Sequence, residues 1–256
     1  MNTKILTDKS LMWKFKASTN MYILFAVIIA ITGFIAWDIY ETRRLIAIGL
    51  KLADNAVPFS RNASSPKILI IGDSTAVGTG ASSSSTSLAG LLGSFYPSAS
   101  IENRGINGSK TKDLLARNDL RGDQYDLIMI HIGGNDTVRF TNLDELTKDI
   151  AFVIDEAKKH SKNIVIVSTG NVGTARLLPL GTRWMFAIRT KQVRDIFQKT
   201  AAEKNVTYVD LYREPAIDPF AKDPSKYYAA DSFHPSDTGY ADWFSLIAKR
   251  LPPLSS

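Results

Sequence analysis

With 256 residues, 45% of them hydrophobic and 22% charged, the chain has material for one ordinary globular domain and an appendage, which excludes wholesale disorder. Half of the net charge of +6 arises before Asp38, where four Lys stand against one Asp; the rest shows no Lys/Arg stripe with interleaved aromatics, so nucleic-acid binding is excluded. Cysteine is absent, which rules out a lipoprotein anchor and suits either side of a membrane.

Residues 1–16 form a short basic segment, and 17–37 are 21 residues without a charge between Lys16 and Asp38. As a helix rising ~1.5 Å per residue, such a run covers about 31 Å, close to the ~30 Å hydrocarbon core of a bilayer. Trp13, Tyr22, Trp37 and Tyr40 lie near its ends, where aromatic rings favour the headgroup region. A cleaved signal peptide is the rival reading. Its apolar region normally spans ~7–15 residues and ends in a small-x-small site, whereas this run is longer and the stretch from Gly33 to Asp38 offers no such site. The expectation is an uncleaved, single-pass signal anchor. Lys4, Lys9, Lys14 and Lys16 precede it and Arg43, Arg44 and Lys51 follow, so the positive-inside rule places the N-terminus in the cytoplasm and the remaining domain outside it.

Residues 38–66 read as a juxtamembrane helix and linker. Leu45, Ile48, Leu52 and Ala56 recur at helical spacing, and the stretch from Pro58 to Pro66 is rich in turn formers. Asn62-Ala-Ser64 matches a glycosylation acceptor, relevant only in a eukaryotic secretory route. Over 67–256, apolar runs at 67–71, 100–103, 127–132, 163–168 and 207–211 alternate with helical patterns at 87–95, 111–117, 143–159, 184–204 and 236–250. Near-continuous Ile, Val and Leu fit strands covered on both faces, and the alternation implies a three-layer α/β/α domain around a parallel sheet.

In open sheets of this kind, ligands bind outside the carboxyl ends of the strands. Gly72-Asp-Ser74 follows the first run, Arg104-Gly105 the second, and Gly133-Gly-Asn135-Asp136 the third. Ser74 reads as a nucleophile that needs a base, against the bland alternative of a turn or N-cap serine. Of three histidines, His131 lies within a strand and His160 at an exposed helix end, while His234 precedes Pro235 and the last helix and has the best credentials as general base. Asp231, three residues upstream, is placed to fix its tautomer. The backbone N–H groups of Ser74 and Gly105 and the amide of Asn135 are candidate donors to an oxyanion; Asp136 reads as loop-structuring.

In order, Gly72-Asp-Ser74, Asn103-Arg-Gly105-Ile-Asn-Gly108, Gly133-Gly-Asn135-Asp136 and Asp231-Ser-Phe-His234-Pro235 resemble the four blocks of the SGNH (GDSL-type) hydrolase family. The resemblance covers about 67–251 and implies a flavodoxin-like fold with a five-stranded parallel sheet. It implies a serine esterase with Ser74, His234 and Asp231 as triad, Ser74, Gly105 and Asn135 as oxyanion hole, and no metal or other cofactor. Thr75 departs from the Leu common after the family's serine. The family's activities include carboxylesterases, lysophospholipases, thioesterases and carbohydrate O-acetylesterases; a short-chain carboxylic ester is the expectation. Leu177, Leu178 and Leu180 are candidates to line an acyl pocket, and Arg176 and Arg183 to meet an anionic group.

A phosphate-cradling loop after Gly72 lacks both the G-K-[ST] ending and the G-x-G-x-x-G spacing, and no residues sit at zinc-ligand spacing. The rival from another class is a non-catalytic, membrane-tethered module that holds an ester without cleaving it.

Overall fold

The computed structural model describes residues 9–254 except 118, 121 and 123, with side chains from residue 20 onward. The basic flank over 1–16, Trp13 included, lies outside the described side chains. The chain divides into two compact units, Met1–Arg43 and Arg44–Ser256. Helix α1 (Lys9–Asn55) contributes to both, running unbroken through the residues read as anchor and juxtamembrane segment. Its stretch from Asn20 is long and apolar enough to cross a membrane, and its large side chains from Met21 to Trp37 are exposed.

In the second unit the elements alternate as expected: β1 (Lys67–Gly72), α2 (Ser74–Val77), α3 (Leu88–Phe95), β2 (Ser100–Asn103), α4 (Thr111–Ala116), β3 (Leu127–His131), α5 (Gly134–Val138) and α6 (Leu143–Lys158). There follow β4 (Ile164–Val167), α7 (Arg183–Glu203), β5 (Thr207–Val209), α8 (Pro219–Lys222), α9 (Pro224–Tyr227) and α10 (Asp237–Ile247). The five strands pair in parallel in the order β2-β1-β3-β4-β5. This is the doubly wound, flavodoxin-like order, whose switch point lies between β1 and β3.

Alternation along β1 explains its uninterrupted apolar run. Ile68 and Ile70 face a core built with α3 and α10, while Leu69 and Ile71 face one built with α4, α6 and α7. On α6, Leu146, Ile150, Val153, Ile154 and Ala157 form one buried stripe, and Asn142 caps the helix by accepting from the N–H groups of Asp144 and Glu145. Burying each such Leu or Ile contributes ~1.5–3 kcal/mol. β5 is shorter than its predicted run and only half-buried because it is the sheet edge, with one strand neighbour.

Four short α-helices escape the sequence pattern: α8 and α9 in the stretch before Asp231, and two nearer the strand ends. α2 and α5 begin at once after β1 and β3, where the sequence reads as turn and loop. Four or five residues are too few to display helical periodicity. The consequence of α2 and α5 is large: they hold Ser74 and Asn135.

Candidate active site

Gly72 lets β1 end hard against β3, since a Cβ there would lie 1.9 Å from the His131 carbonyl oxygen. The buried carboxylate of Asp73 then caps α2, accepting from the Thr75 N–H at 2.9 Å and from Thr75 Oγ1 at 2.6 Å. Thr75, the departure noted in the sequence, thus stabilises the turn. Burial raises the Asp73 carboxyl above the ordinary carboxylate range in spite of these hydrogen bonds. Ser74 is the first residue of α2, and its N–H has no protein acceptor among the described residues, as helix starts leave their first donors.

The imidazole arrives from the far end of the sequence. Asp231 Oδ1 accepts from the N–H groups of Phe233 and His234, both at 3.0 Å, folding 231–234 into a tight bend with Ser232 in the left-handed region. His234 Nδ1 lies 2.5 Å from Asp231 Oδ2, and its Nε2 lies 2.9 Å from Ser74 Oγ. A proton on Nδ1 satisfies Asp231, which is fully buried, and leaves Nε2 to accept from the serine hydroxyl. Gly80 makes room for this bend: at φ +97° it lies under His234, and a Cβ there would stand 2.5 Å from the Pro235 carbonyl oxygen.

Asn135 occupies the second position of α5, and its side chain has no hydrogen-bonding partner among the described residues. It lines one pocket with Ser74. Gly105 behaves differently. It packs on α2, where a Cβ would meet Val77 N at 2.8 Å, and its N–H is held by Asn103 Oδ1 at 2.9 Å. Like His234, it is not among the residues lining the pocket. The side chain of Asn103 competes for this donor, which spacing alone does not reveal.

The pocket beside Ser74 is walled by Val172, Leu211, Phe220, Tyr228, Phe233 and Trp243, with a void of about 40 Å³. None of Leu177, Leu178 and Leu180 reaches it: Leu178 is buried in the sheet's core, Leu177 packs against that core, and Leu180 is exposed. Arg183 is spent on the carbonyls of Arg176 and Leu178. The aromatic lining comes instead from α8, α10 and the loop segments between, where no periodic signal marks it. Asp218, buried in the same wall, caps α8 through the Phe220 N–H, and burial raises its carboxyl as well.

The other histidines take different places. His131 is buried edge-on to Trp243, and desolvation lowers its pKa to about 3, so it stays neutral. His160, expected exposed, is half-buried at the end of α6. Asp136 is fully buried and accepts from the Thr111 N–H and Oγ1, tying α5 to α4 in keeping with a structural role. Among the described residues no group of three or more His, Cys, Asp or Glu is arranged to hold a metal ion.

Chemically, a buried carboxylate, an imidazole and a hydroxyl in hydrogen-bonded sequence can activate the hydroxyl for attack on an acyl carbon.

The profile of the GDSL-like Lipase/Acylhydrolase family matches residues 70–241. No curated protein is matched. Among solved structures, the chain is similar to variants of an acetylxylan esterase from Geobacillus stearothermophilus, one of them at 24% identity and TM-score 0.56, covering 73% of this chain and 94% of that one. Variants of that enzyme in which a serine, a histidine or an aspartate is replaced are described as catalytic mutants. An α/β hydrolase from the metagenome of Lake Arreo, Spain, is 21% identical over 73% of this chain and 93% of its own, with TM-score 0.55. A lipolytic G-D-S-L family protein from Veillonella parvula is 16% identical over 72% and 96%, with TM-score 0.58.

Proposed function

Since the chain belongs to the GDSL-like lipase/acylhydrolase family and is an ester-hydrolysing enzyme, we propose that it is a membrane-anchored serine esterase that removes acetyl or similarly short acyl groups through an acyl-enzyme on Ser74. The observation that carries this reading is the hydrogen-bonded series Asp231, His234, Ser74 opening onto a small pocket. His234 Nε2 takes the Ser74 proton as Oγ attacks the acyl carbon, and the tetrahedral oxyanion is met by the Ser74 N–H and the Asn135 amide. Gly105 joins them only by releasing Asn103. His234 then protonates the departing alcohol, and a water activated by the same imidazole hydrolyses the acyl-enzyme.

Pocket size supports the acyl choice. A void of about 40 Å³ beside Ser74 suits a short acyl group such as acetyl. A lysophospholipase or thioesterase would need space for a long chain. That the similar Geobacillus enzyme is an acetylxylan esterase agrees with a carbohydrate O-acetyl ester as substrate class. The long apolar stretch of α1 supports single-pass anchoring, and four basic residues before it against three soon after support an esterase domain outside the cytoplasm.

A panel of p-nitrophenyl esters from acetate to octanoate, run beside acetylated xylo-oligosaccharides, tests the substrate. kcat/KM should fall steeply beyond about four carbons; a maximum at octanoate would refute the short-acyl reading. A fluorophosphonate probe should label the wild type and not Ser74→Ala, and an unlabelled folded wild type would indicate the binding module instead. Protease protection of intact cells and inverted vesicles reports the side of the membrane.

A further inference from the structure

The end of α1 lies against the candidate site from behind. Leu45, Gly49 and Ala53 are spaced four residues apart and so share one ridge of the helix. Leu45 and Gly49 are buried. A Cβ built at Gly49 would stand 3.0 Å from Asp231 Oδ2, the oxygen that lies 2.5 Å from His234 Nδ1. One turn further, the Ala53 carbonyl accepts from Asn107 Nδ2 at 3.0 Å, beside a longer bond of 3.4 Å from the Ala56 N–H. Asn107 belongs to the loop that carries Gly105, and its Oδ1 accepts from Thr79 Oγ1 at 2.7 Å.

Glycine is a poor choice inside a helix unless close approach demands it. At Gly33 of the same helix a Cβ would meet nothing within 4 Å; at Gly49 it would press on a carboxylate oxygen. The geometry points to Gly49 as a positioning residue of the esterase: it lets the α1 backbone close over Asp231, keeping water from the carboxylate and setting its distance to His234. This rests on the reading of Ser74, His234 and Asp231 as the triad.

Neither partner can yield freely. The Asp231 carboxylate is pinned at Oδ1 by two backbone N–H groups, so crowding at Oδ2 shifts that oxygen from its place beside His234 Nδ1. The helix is held one turn before Gly49 by buried Leu45 and one turn after it by the Asn107 bond to Ala53. An added methyl therefore displaces Oδ2 by a few tenths of an ångström, and the imidazole with it. Since ~1 Å of misplacement costs about 10²-fold in rate, about tenfold is expected here.

The test is Gly49→Ala in the full chain purified in detergent, with Lys51→Ala on the exposed side of the helix as control. Alanine's preference for helix offsets much of the crowding, so the fold should hold and the thermal midpoint should stay within about 5 °C of wild type. kcat for p-nitrophenyl acetate should drop about tenfold with KM unchanged, Gly49→Val should lose more, and Lys51→Ala should stay within twofold of wild type. The low-field proton resonance of His234 Nδ1–H, read without substrate, should shift or broaden in Gly49→Ala alone. An unmoved resonance with kcat within twofold of wild type overturns the proposal. Failure of the fluorophosphonate to label the wild type instead overturns the esterase reading, so the two failures are distinguishable.

Discussion

Asp231→Asn exchanges one oxygen for an NH₂ group and tests the proposed proton path at its most constrained point. Asp231 Oδ1 receives two backbone N–H groups at 3.0 Å, and Oδ2 receives His234 Nδ1 at 2.5 Å. The asparagine oxygen is forced into the Oδ1 position, because an NH₂ there would face two donors in a fully buried site. Its NH₂ then points at Nδ1 and donates to it, so the neutral ring must carry its proton on Nε2. In that tautomer Nε2 donates to Ser74 Oγ and cannot take its proton. Geometry survives while the base is lost. In serine proteases the same exchange costs about 10⁴ in kcat, equivalent to about 5.4 kcal/mol at 1.36 kcal/mol per decade. The assay is steady-state hydrolysis of p-nitrophenyl acetate at neutral pH, with circular dichroism and thermal melting to confirm the fold. A folded Asp231→Asn protein within tenfold of wild-type kcat would refute the assignment of His234 as base oriented by Asp231.

Asn135→Ala should lower kcat by about 10²–10³ with little change in KM, because its amide acts on charge present only in the transition state; a pure KM effect in the same assay contradicts that role. Gly80→Ala places a side chain at φ +97° and 2.5 Å from the Pro235 carbonyl oxygen, so it should destabilise by at least ~1–2 kcal/mol, a fall of roughly 2–8 °C in Tm; an unchanged melt refutes the close approach. Asp237 accepts from Ser82 N, Ser82 Oγ and Thr86 Oγ1. Burial works to raise its carboxyl, but these hydrogen bonds prevail and hold it below the ordinary value. The lowered folded-state pKa adds stability that is complete above the unfolded value and is lost as pH falls through the folded one. The Tm difference between wild type and Asp237→Asn should therefore be steady at pH 5–7 and narrow below about pH 4; a difference that widens in acid contradicts the sign.

How far each feature can be read from the chain depends on the range of the interaction that creates it. The strands of the sheet are local in origin: Ile68 to Ile71 must be buried on both faces, so an unbroken apolar run suffices to place β1. Asp231 and His234 are equally legible, since a carboxylate three residues before an imidazole meets it through one bend, whereas Ser74 joins them across 160 residues and only the parallel topology brings it there. What escapes reading has partners that no spacing names. Asn103 and Gly105 are neighbours in a turn, yet only the folded chain shows that the asparagine oxygen holds the glycine N–H. The pocket's aromatic wall comes from Phe220, Tyr228 and Trp243, which belong to different segments and carry no common period. Gly49 is the extreme case. The ridge of α1 near it is visible in Leu45, Ile48, Leu52 and Ala56, but a glycine inside a helix reads locally as a weakness. Its sense lies in a carboxylate 182 positions later, whose Oδ2 would stand 3.0 Å from an added methyl carbon and would have to give way to it.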